Sequence, residues 1–314
     1  MINERYAIIS DIHGNFPALS AVLTDAKNQG ATRYLLLGDY ANGSIFGNEV
    51  TEAIRGLDNA VVICGNHEGF LHWLKNNPAD FVDHSGLAVW SSKNLKPDNL
   101  NYLLDLPDTA VVSKKDMNIY LNHHLHQIKD IFFTFPNFIK PMHSVIFREM
   151  FEESPVSHDD FLHIAQDAIL SDPSRVDRLK ALPDGIYLFG HSHIQFHMEF
   201  ERKLFINPGS CGEALDGNPT AAYTLFENGS IVERRVEYAV SESVEALRQS
   251  DYYKDNPNNS FWAEMMIKNI TTGFDYFRSF YSIVNETIKK RKENGVASHD
   301  CIHEAIKTWE NQEK

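Results

Sequence analysis

Apolar positions along the chain fall first into short runs and then into helical stripes. Tyr6–Ser10 is a short apolar run, the pattern of a buried strand. Pro17 then opens a helix with Ala18, Leu19, Val22, Leu23 and Ala26 on one face, and Gly30 supplies its stop. Arg33–Leu37 reads as a second strand, Val50, Ala53, Ile54 and Leu57 as a second helix, and Ala60–Cys64 as a third strand. This alternation predicts an α/β layer with a mostly parallel sheet.

Residues 67–106 read as largely helical, with breaks near Pro78 and Pro97. Strands return at Ala110–Ser113, Met117–Asn122 and Ile186–Phe189. Between them, residues 125–180 form an insertion with an aromatic run at 131–138 and a helix at about 157–170. Short strands then alternate with turns, and Asn228-Gly229 predicts a hairpin between Tyr223–Phe226 and Ile231–Val236.

Past residue 240 the period becomes helical. An aromatic-rich stretch over 259–292 carries Phe261, Trp262, Met265, Met266 and Ile270 on one stripe. Phe274, Phe277, Tyr281, Val284 and Ile288 continue it, and Thr271-Thr272-Gly273 is expected to bend or break it. The expected organisation is a domain over 1–240 and a helical extension over 241–314, packed on that domain or on a homodimer partner.

Composition narrows the function classes. Of 314 residues, 43% are hydrophobic and 23% charged, which is ordinary for a globular chain. A net charge of −14 makes nucleic acid a poor partner and reduces the Lys289–Lys292 run to a solvated helix face. An anionic substrate then needs a site that carries its own cations. Three scattered cysteines, Cys64, Cys211 and Cys301, argue against a disulfide framework. No apolar run reaches the roughly 20 residues of a membrane span, and Met1–Ser10 reads as a strand rather than a signal peptide. The expected location is the cytoplasm.

Five short motifs follow predicted strands: Asp11-Ile12-His13-Gly14-Asn15, Gly38-Asp39, Gly65-Asn66-His67-Glu68, His123-His124 and Gly190-His191-Ser192-His193. Ligands of open α/β sheets gather at the carboxyl ends of strands, so five such motifs point to one convergent site. Imidazole with carboxylate favours Mn, Fe, Zn or Ni over Ca. The D-x-H and H-x-H spacings are expected to work through strand alternation, which puts two side chains on one side. Asp39 can bridge two cations, and Asn66 offers an amide oxygen. Two ions roughly 3.5–4 Å apart clamp a phosphoryl oxygen and activate a hydroxide for attack on phosphorus. His67, beside a ligand, is assigned to the leaving group as a proton donor. Glu68 is expected to cap the following helix, and Cys64 and Cys211 to be small buried residues.

This spacing resembles the calcineurin-like metallophosphoesterase superfamily. Ser10–Leu19, Asn207-Pro208-Gly209-Ser210 and Asp216-Gly217-Asn218-Pro219 are similar to the signatures of its YfcE-like bacterial phosphodiesterase branch. The resemblance covers residues 5–240 and implies a four-layer αββα sandwich, here with a helical C-terminal extension. It implies that Asp11, His13, Asp39 and His193 hold one divalent metal ion, and that Asp39, Asn66, His123 and His191 hold the other, with Mn or Fe favoured. His67 matches the substrate-contacting histidine of the family.

Two departures bear on the substrate. His123-His124 stands where the family commonly has His-Gly; His123 follows the strand in register, His124 is assigned to substrate, and the two can be exchanged. The pair resembles a streptococcal-type subgroup with dinucleoside polyphosphate and phosphodiester hydrolases. Cys64 replaces the arginine of the superfamily's protein phosphatases, which removes a bidentate phosphate clamp. The expected function is therefore a binuclear metal-dependent phosphodiesterase or nucleotide hydrolase acting on a small phosphoester. The alternatives are a phosphomonoesterase of the Ser/Thr protein phosphatase type and a non-catalytic scaffold. Phe132, Phe133, Phe135 and Phe138 of the insertion are expected either to fill core or to wall the site against a nucleoside base.

Overall fold

The computed structural model describes residues 4–76, 86–115, 117–124, 158–255, 257–293 and 301–312. The insertion phenylalanines, Pro78 and the 131–138 run lie outside them. Among these residues, ten strands form two sheets. The first has the order β10-β9-β1-β2-β3, with β1 Tyr6–Ile9, β2 Arg33–Leu36, β3 Ala60–Val62, β9 Ala221–Glu227 and β10 Ser230–Val236. The second has the order β4-β5-β6-β8-β7, with β4 Thr109–Val112, β5 Ile119–Asn122, β6 Gly185–Leu188, β7 Gln195–Phe200 and β8 Lys203–Pro208.

Both sheets are mixed, which corrects the expectation of a mostly parallel one. Only β1-β2-β3 and β5-β6-β8 run parallel. Short hairpin connections force the edge pairs antiparallel: β9–β10, β4–β5 and β7–β8. At the first of these, Asn228 and Gly229 both take positive φ, 50° and 85°, as a type I′ turn requires.

Period-2 alternation sorts the side chains into layers. Tyr6, Ile8, Leu35 and Leu37 face Ile119, Leu121, Ile186, Leu188 and Ile206 between the sheets. Each fully buried aliphatic contributes about 1.5–3 kcal/mol. Ala7, Ile9 and Leu36 point the other way, onto helices α1 Phe16–Asn28, α2 Gly47–Arg55, α3 Asn66–Asn76 and α5 Pro97–Leu104, whereas α4 Gly86–Asn94 packs on the C-terminal helices. On the far face of the second sheet, Tyr187, Phe196, Met198 and Phe205 pack on α6 His158–Leu170 and α7 Pro173–Ala181. The result is a four-layer αββα sandwich.

The C-terminal region comprises α8 Val240–Gln249, α9 Asp251–Asp255, α10 Pro257–Thr272, α11 Tyr276–Glu293 and α12 Cys301–Gln312. The long aromatic stretch does break at Gly273, whose φ is +77°. Met266 and Ile270 pack with Leu87 of α4 and Leu247 of α8, while Trp262, Met265, Phe280 and Val284 pack with Ala305 of α12. Among the described residues, no helix is long and apolar enough to cross a membrane.

Candidate metal centre

The strand ends β1, β2, β3, β5 and β6 meet along the seam between the sheets. The first sheet brings Asp11, His13 and Asp39, and Asn66 opens α3; the second brings His123, His191 and His193. Asp11, His13, Asp39, His123 and His193 are buried. Four overlapping sets of these groups, two of which also include His67 or His124, have ligand atoms within 4.8 Å of one another.

The loops are tightly wound. Asp11, His13, Asp39, His191 and His193 all have φ between 50° and 66°, the left-handed region that costs a non-glycine residue on the order of 1–3 kcal/mol. The D-x-H and H-x-H spacings therefore do not act through alternation along an extended strand, contrary to the sequence-based expectation. Each pair sits on a left-handed loop that surrounding contacts hold. The 11–14 loop is laced to the next by Asp11 N–H to Gly38 O, Ile12 N–H to Asp39 O and Gly14 N–H to Tyr40 O, at 2.7–3.1 Å. Room is as critical as conformation. A Cβ on Gly65 would collide with the Asp39 carboxylate, and one on Gly190 would lie 2.7 Å from Asp11 Oδ2.

Two half-sites share Asp39. In one, His13 Nε2 lies 3.0 Å from His193 Nε2, and Asp11 Oδ1 is 3.4 Å from His193 Nε2. In the other, Asn66 Oδ1 is 3.1 Å from His123 Nε2 and 2.6 Å from His191 Nδ1. Asp39 Oδ2 stands 3.3 Å from His123 and 3.9 Å from His13. Its Oδ1 accepts the His67 N–H at 2.8 Å, so Oδ2 is the oxygen that faces both halves.

Backbone carbonyls fix the tautomers. His13 Nδ1 meets Asn42 O at 2.7 Å, His123 Nδ1 meets Leu37 O at 2.7 Å, and His193 Nδ1 meets Glu213 O at 2.6 Å. A carbonyl only accepts, so each Nδ1 donates, and each Nε2 points inward, with its lone pair free whenever the ring is neutral. Two lone pairs 3.0 Å apart, at His13 and His193, repel unless a proton or cation lies between them. The donor set thus fits divalent cations. Asn42, Leu37 and Glu213 carry no sequence signal for this role, because the acting group is main chain.

Electrostatics separate the imidazoles. Burial, then His123 and His124, press His191 down to about 3, and burial with His13 presses His193 to about 3. Against burial, Asp39 and Asp11 hold His123 up at about 9. Burial opposes charge at His13 too, but Glu213, Asp39 and Asp11 raise it. Burial and the neighbouring histidines put His67 at about 4, although a third of its side chain meets solvent.

The flanking residues sort out plainly. His67 Nε2 is 3.9 Å from Asp39 Oδ2, and its ring meets that of His13 edge-on at 4.7 Å. His123 is buried against Asp39 and Asn66, whereas His124 is only half-buried, with its ring 4.6 Å from that of His191. The Glu68 carboxylate accepts N–H bonds from Gly65, Asp39 and Tyr40, each at 2.9 Å. It caps α3 and also ties the second loop to the third. The Asn207–Ser210 segment crosses the seam: Asn207 Nδ2 donates to Gly190 O at 2.9 Å and Ser210 Oγ to Asp11 O at 2.6 Å. Cys64 donates to Asp108 Oδ1 at 3.0 Å, and burial first, then Asp108, pushes its thiol up to about 12.

A family model for calcineurin-like phosphoesterases matches residues 4–195, more than half of the chain. Among curated proteins, the uncharacterized protein MJ0912 of Methanocaldococcus jannaschii is 29% identical over 266 residues, covering 79% of this chain and 93% of that one. Two solved structures share the fold. A metallophosphoesterase from Sphaerobacter thermophilus aligns at 22% identity and a TM-score of 0.56, over 86% of this chain and 99% of that one. The hypothetical protein PH1004 from Pyrococcus horikoshii OT3 aligns at 17% identity and a TM-score of 0.59, over 86% and 98%. With its family signature borne at the seam of a two-sheet sandwich, this chain belongs to the calcineurin-like phosphoesterases, a family of phosphoester hydrolases.

Proposed function

We propose that the protein is a binuclear metal-dependent phosphodiesterase acting on a small phosphodiester, with nucleotides and dinucleoside polyphosphates as the first substrates to try. The observation that carries this is the convergence of seven side chains into two half-sites, with the lone pairs of His13, His123 and His193 turned inward by carbonyls. Asp11, His13, Asp39 and His193 would hold one cation, and Asp39, Asn66, His123 and His191 the other. Mn and Fe suit this mix of imidazole, carboxylate and amide oxygen best. When bound, such a pair supplies Lewis acidity toward a phosphoryl oxygen and a nucleophile at neutral pH.

The chain's own residues do the rest. Asp39 Oδ2 faces both half-sites and fixes their separation. The pinned tautomers keep the imidazoles from turning away. His67 sits at the edge, partly solvent-exposed, where its Nε2 meets the leaving oxygen; burial and neighbouring histidines hold the free ring at about 4, so it serves as proton donor once the negative charge arriving with substrate raises it. His124, less buried than His123, contacts substrate. The Cys64 thiol, engaged by Asp108, offers no guanidinium clamp for a phosphoprotein dianion, which favours diesters over monoesters. Free Cys64, Cys211 and Cys301 suit a reducing compartment and support a cytoplasmic location.

The test is hydrolysis of bis-p-nitrophenyl phosphate with added Mn²⁺, run beside the monoester. Wild-type protein should cleave the diester faster, and Asp39→Ala should lose this activity. Full activity in Asp39→Ala would overturn the mechanism, and a faster monoester rate would overturn the substrate class.

A further inference from the structure

Glu213, whose side chain is buried, is not among the seven, yet its main chain touches the metal centre from behind. Its main-chain oxygen accepts the His193 Nδ1–H at 2.6 Å, and its own N–H donates to Ser210 Oγ at 2.8 Å. Ser210 Oγ in turn donates to Asp11 O at 2.6 Å. Glu213 therefore stands between the backbone of Asp11 and the ring of His193.

What holds Glu213 comes from far along the chain. Asn269, fully buried in α10, donates from Nδ2 to Glu213 Oε1 at 2.7 Å. Asn269 is itself fixed, since its Oδ1 accepts the Tyr276 N–H at 2.8 Å at the start of α11. Next to it, Gly217 N–H donates to Gly273 O at 2.9 Å, and a Cβ on Gly273 would lie 2.7 Å from Asn218 N. The end of α10 thus presses directly on the 213–218 loop. Both Glu213 and Asn269 lie beyond the residues that the family model matches.

We propose that Asn269 and Glu213 are positioning residues for the cation held by Asp11, His13 and His193, which makes the C-terminal helices part of the metal centre. The Asn269 amide fixes the Glu213 side chain, and the fixed Glu213 places the carbonyl that orients His193. This inference rests on the two-metal reading above. Partners that orient metal-bound histidines are typically worth 10–100-fold in metal affinity.

Mn²⁺ titration of the metal-depleted full chain by calorimetry tests this without turnover. Asn269→Leu and Glu213→Leu should each weaken one of the two Mn²⁺ sites by about 10–100-fold and leave the other unchanged. Glu213→Gln, which keeps an acceptor for Asn269, should retain more affinity than Glu213→Leu. The double leucine variant should be no weaker than the worse single one, because the two residues act in series. Should Asn269→Leu fail to fold, Asn269→Asp keeps the acceptor for Tyr276 and replaces the donor to Glu213 with a second carboxyl group, and the same one-site weakening is expected. Equal weakening of both sites, or wild-type binding in the leucine variants, overturns the relay. A wild-type chain that binds no Mn²⁺ overturns the metal centre itself, whereas one that binds two ions without cleaving diesters overturns only the proposed reaction.

Discussion

The Glu68 carboxylate accepts the Asp39 N–H at 2.9 Å, and this one bond joins the start of α3 to the loop that both half-sites share. The same side chain takes the Gly65 and Tyr40 N–H groups, so three buried donors depend on it. Glu68→Gln must turn an NH₂ toward either the Tyr40 N–H or the Gly65 and Asp39 N–H pair, leaving at least one donor unpartnered. The expected cost is about 1–3 kcal/mol. Urea unfolding of the variant measures it, and a midpoint within error of wild type would contradict this role.

His67 has a buried Nδ1 with no hydrogen-bond partner among the described residues, while its Nε2 faces Asp39 at 3.9 Å. Such a ring contributes little to holding the loop and is placed for substrate. His67→Ala should lower kcat by about 10²–10⁴-fold and keep the wild-type metal content. Metal analysis alongside diester turnover separates this from a lost ligand; a variant stripped of metal would place His67 in the cage instead.

Metal removal should loosen the protein. His13 and His193 meet Nε2 to Nε2 at 3.0 Å, an arrangement that a cation relieves. A cation present at 100 times its Kd adds about 2.7 kcal/mol to the folded state. Differential scanning calorimetry should therefore show a lower Tm after chelation and recovery on adding Mn²⁺. An unchanged Tm over that cycle speaks against binding at this place.

The chelated protein should also be most stable near neutrality. His193 is held at about 3 in the fold by burial and His13, against an ordinary value of about 6.5. Its unfolded form binds the extra proton, so its contribution is present above pH 6.5 and lost as pH falls toward 3. His123 runs the opposite way. Held at about 9 by Asp39 and Asp11, it contributes below pH 6.5 and loses this as pH rises through 9. Each unmatched proton is worth about 1.4 kcal/mol per pH unit. Thermal midpoints from pH 4.5 to 9 should trace a dome, and a flat profile would rule the opposing pair out.

The convergence of these groups was legible because they are side chains at strand ends, and apolar runs such as Tyr6–Ile9 mark strand ends well. Geometry was less legible. The two-residue spacing of Asp11 and His13 suggests an extended segment, yet both residues are left-handed, since a loop laced to its neighbour by hydrogen bonds outweighs intrinsic preference. Mixed pairing was misread because β1, β2 and β3 come first in the chain, and their antiparallel partner β9 arrives some 200 residues later. Supporting groups left no trace at all. Leu37, Asn42 and Glu213 act through main-chain oxygen, which every residue has, and Asn269 reaches Glu213 across 56 positions.

Gly65 and Gly190 approach the carboxylates of Asp39 and Asp11 with no side chain between. One of them follows a strand of the first sheet, the other a strand of the second, and each half-site takes ligands from both sheets. The candidate metal centre is therefore a joint as well as a pocket. Sliding one sheet past the other by an ångström would spoil both halves at once, so the alignment of two whole layers is what cations bound here would sense. A residue such as Leu188, deep in the inter-sheet core and without chemistry of its own, sets that alignment as a shim sets a bearing.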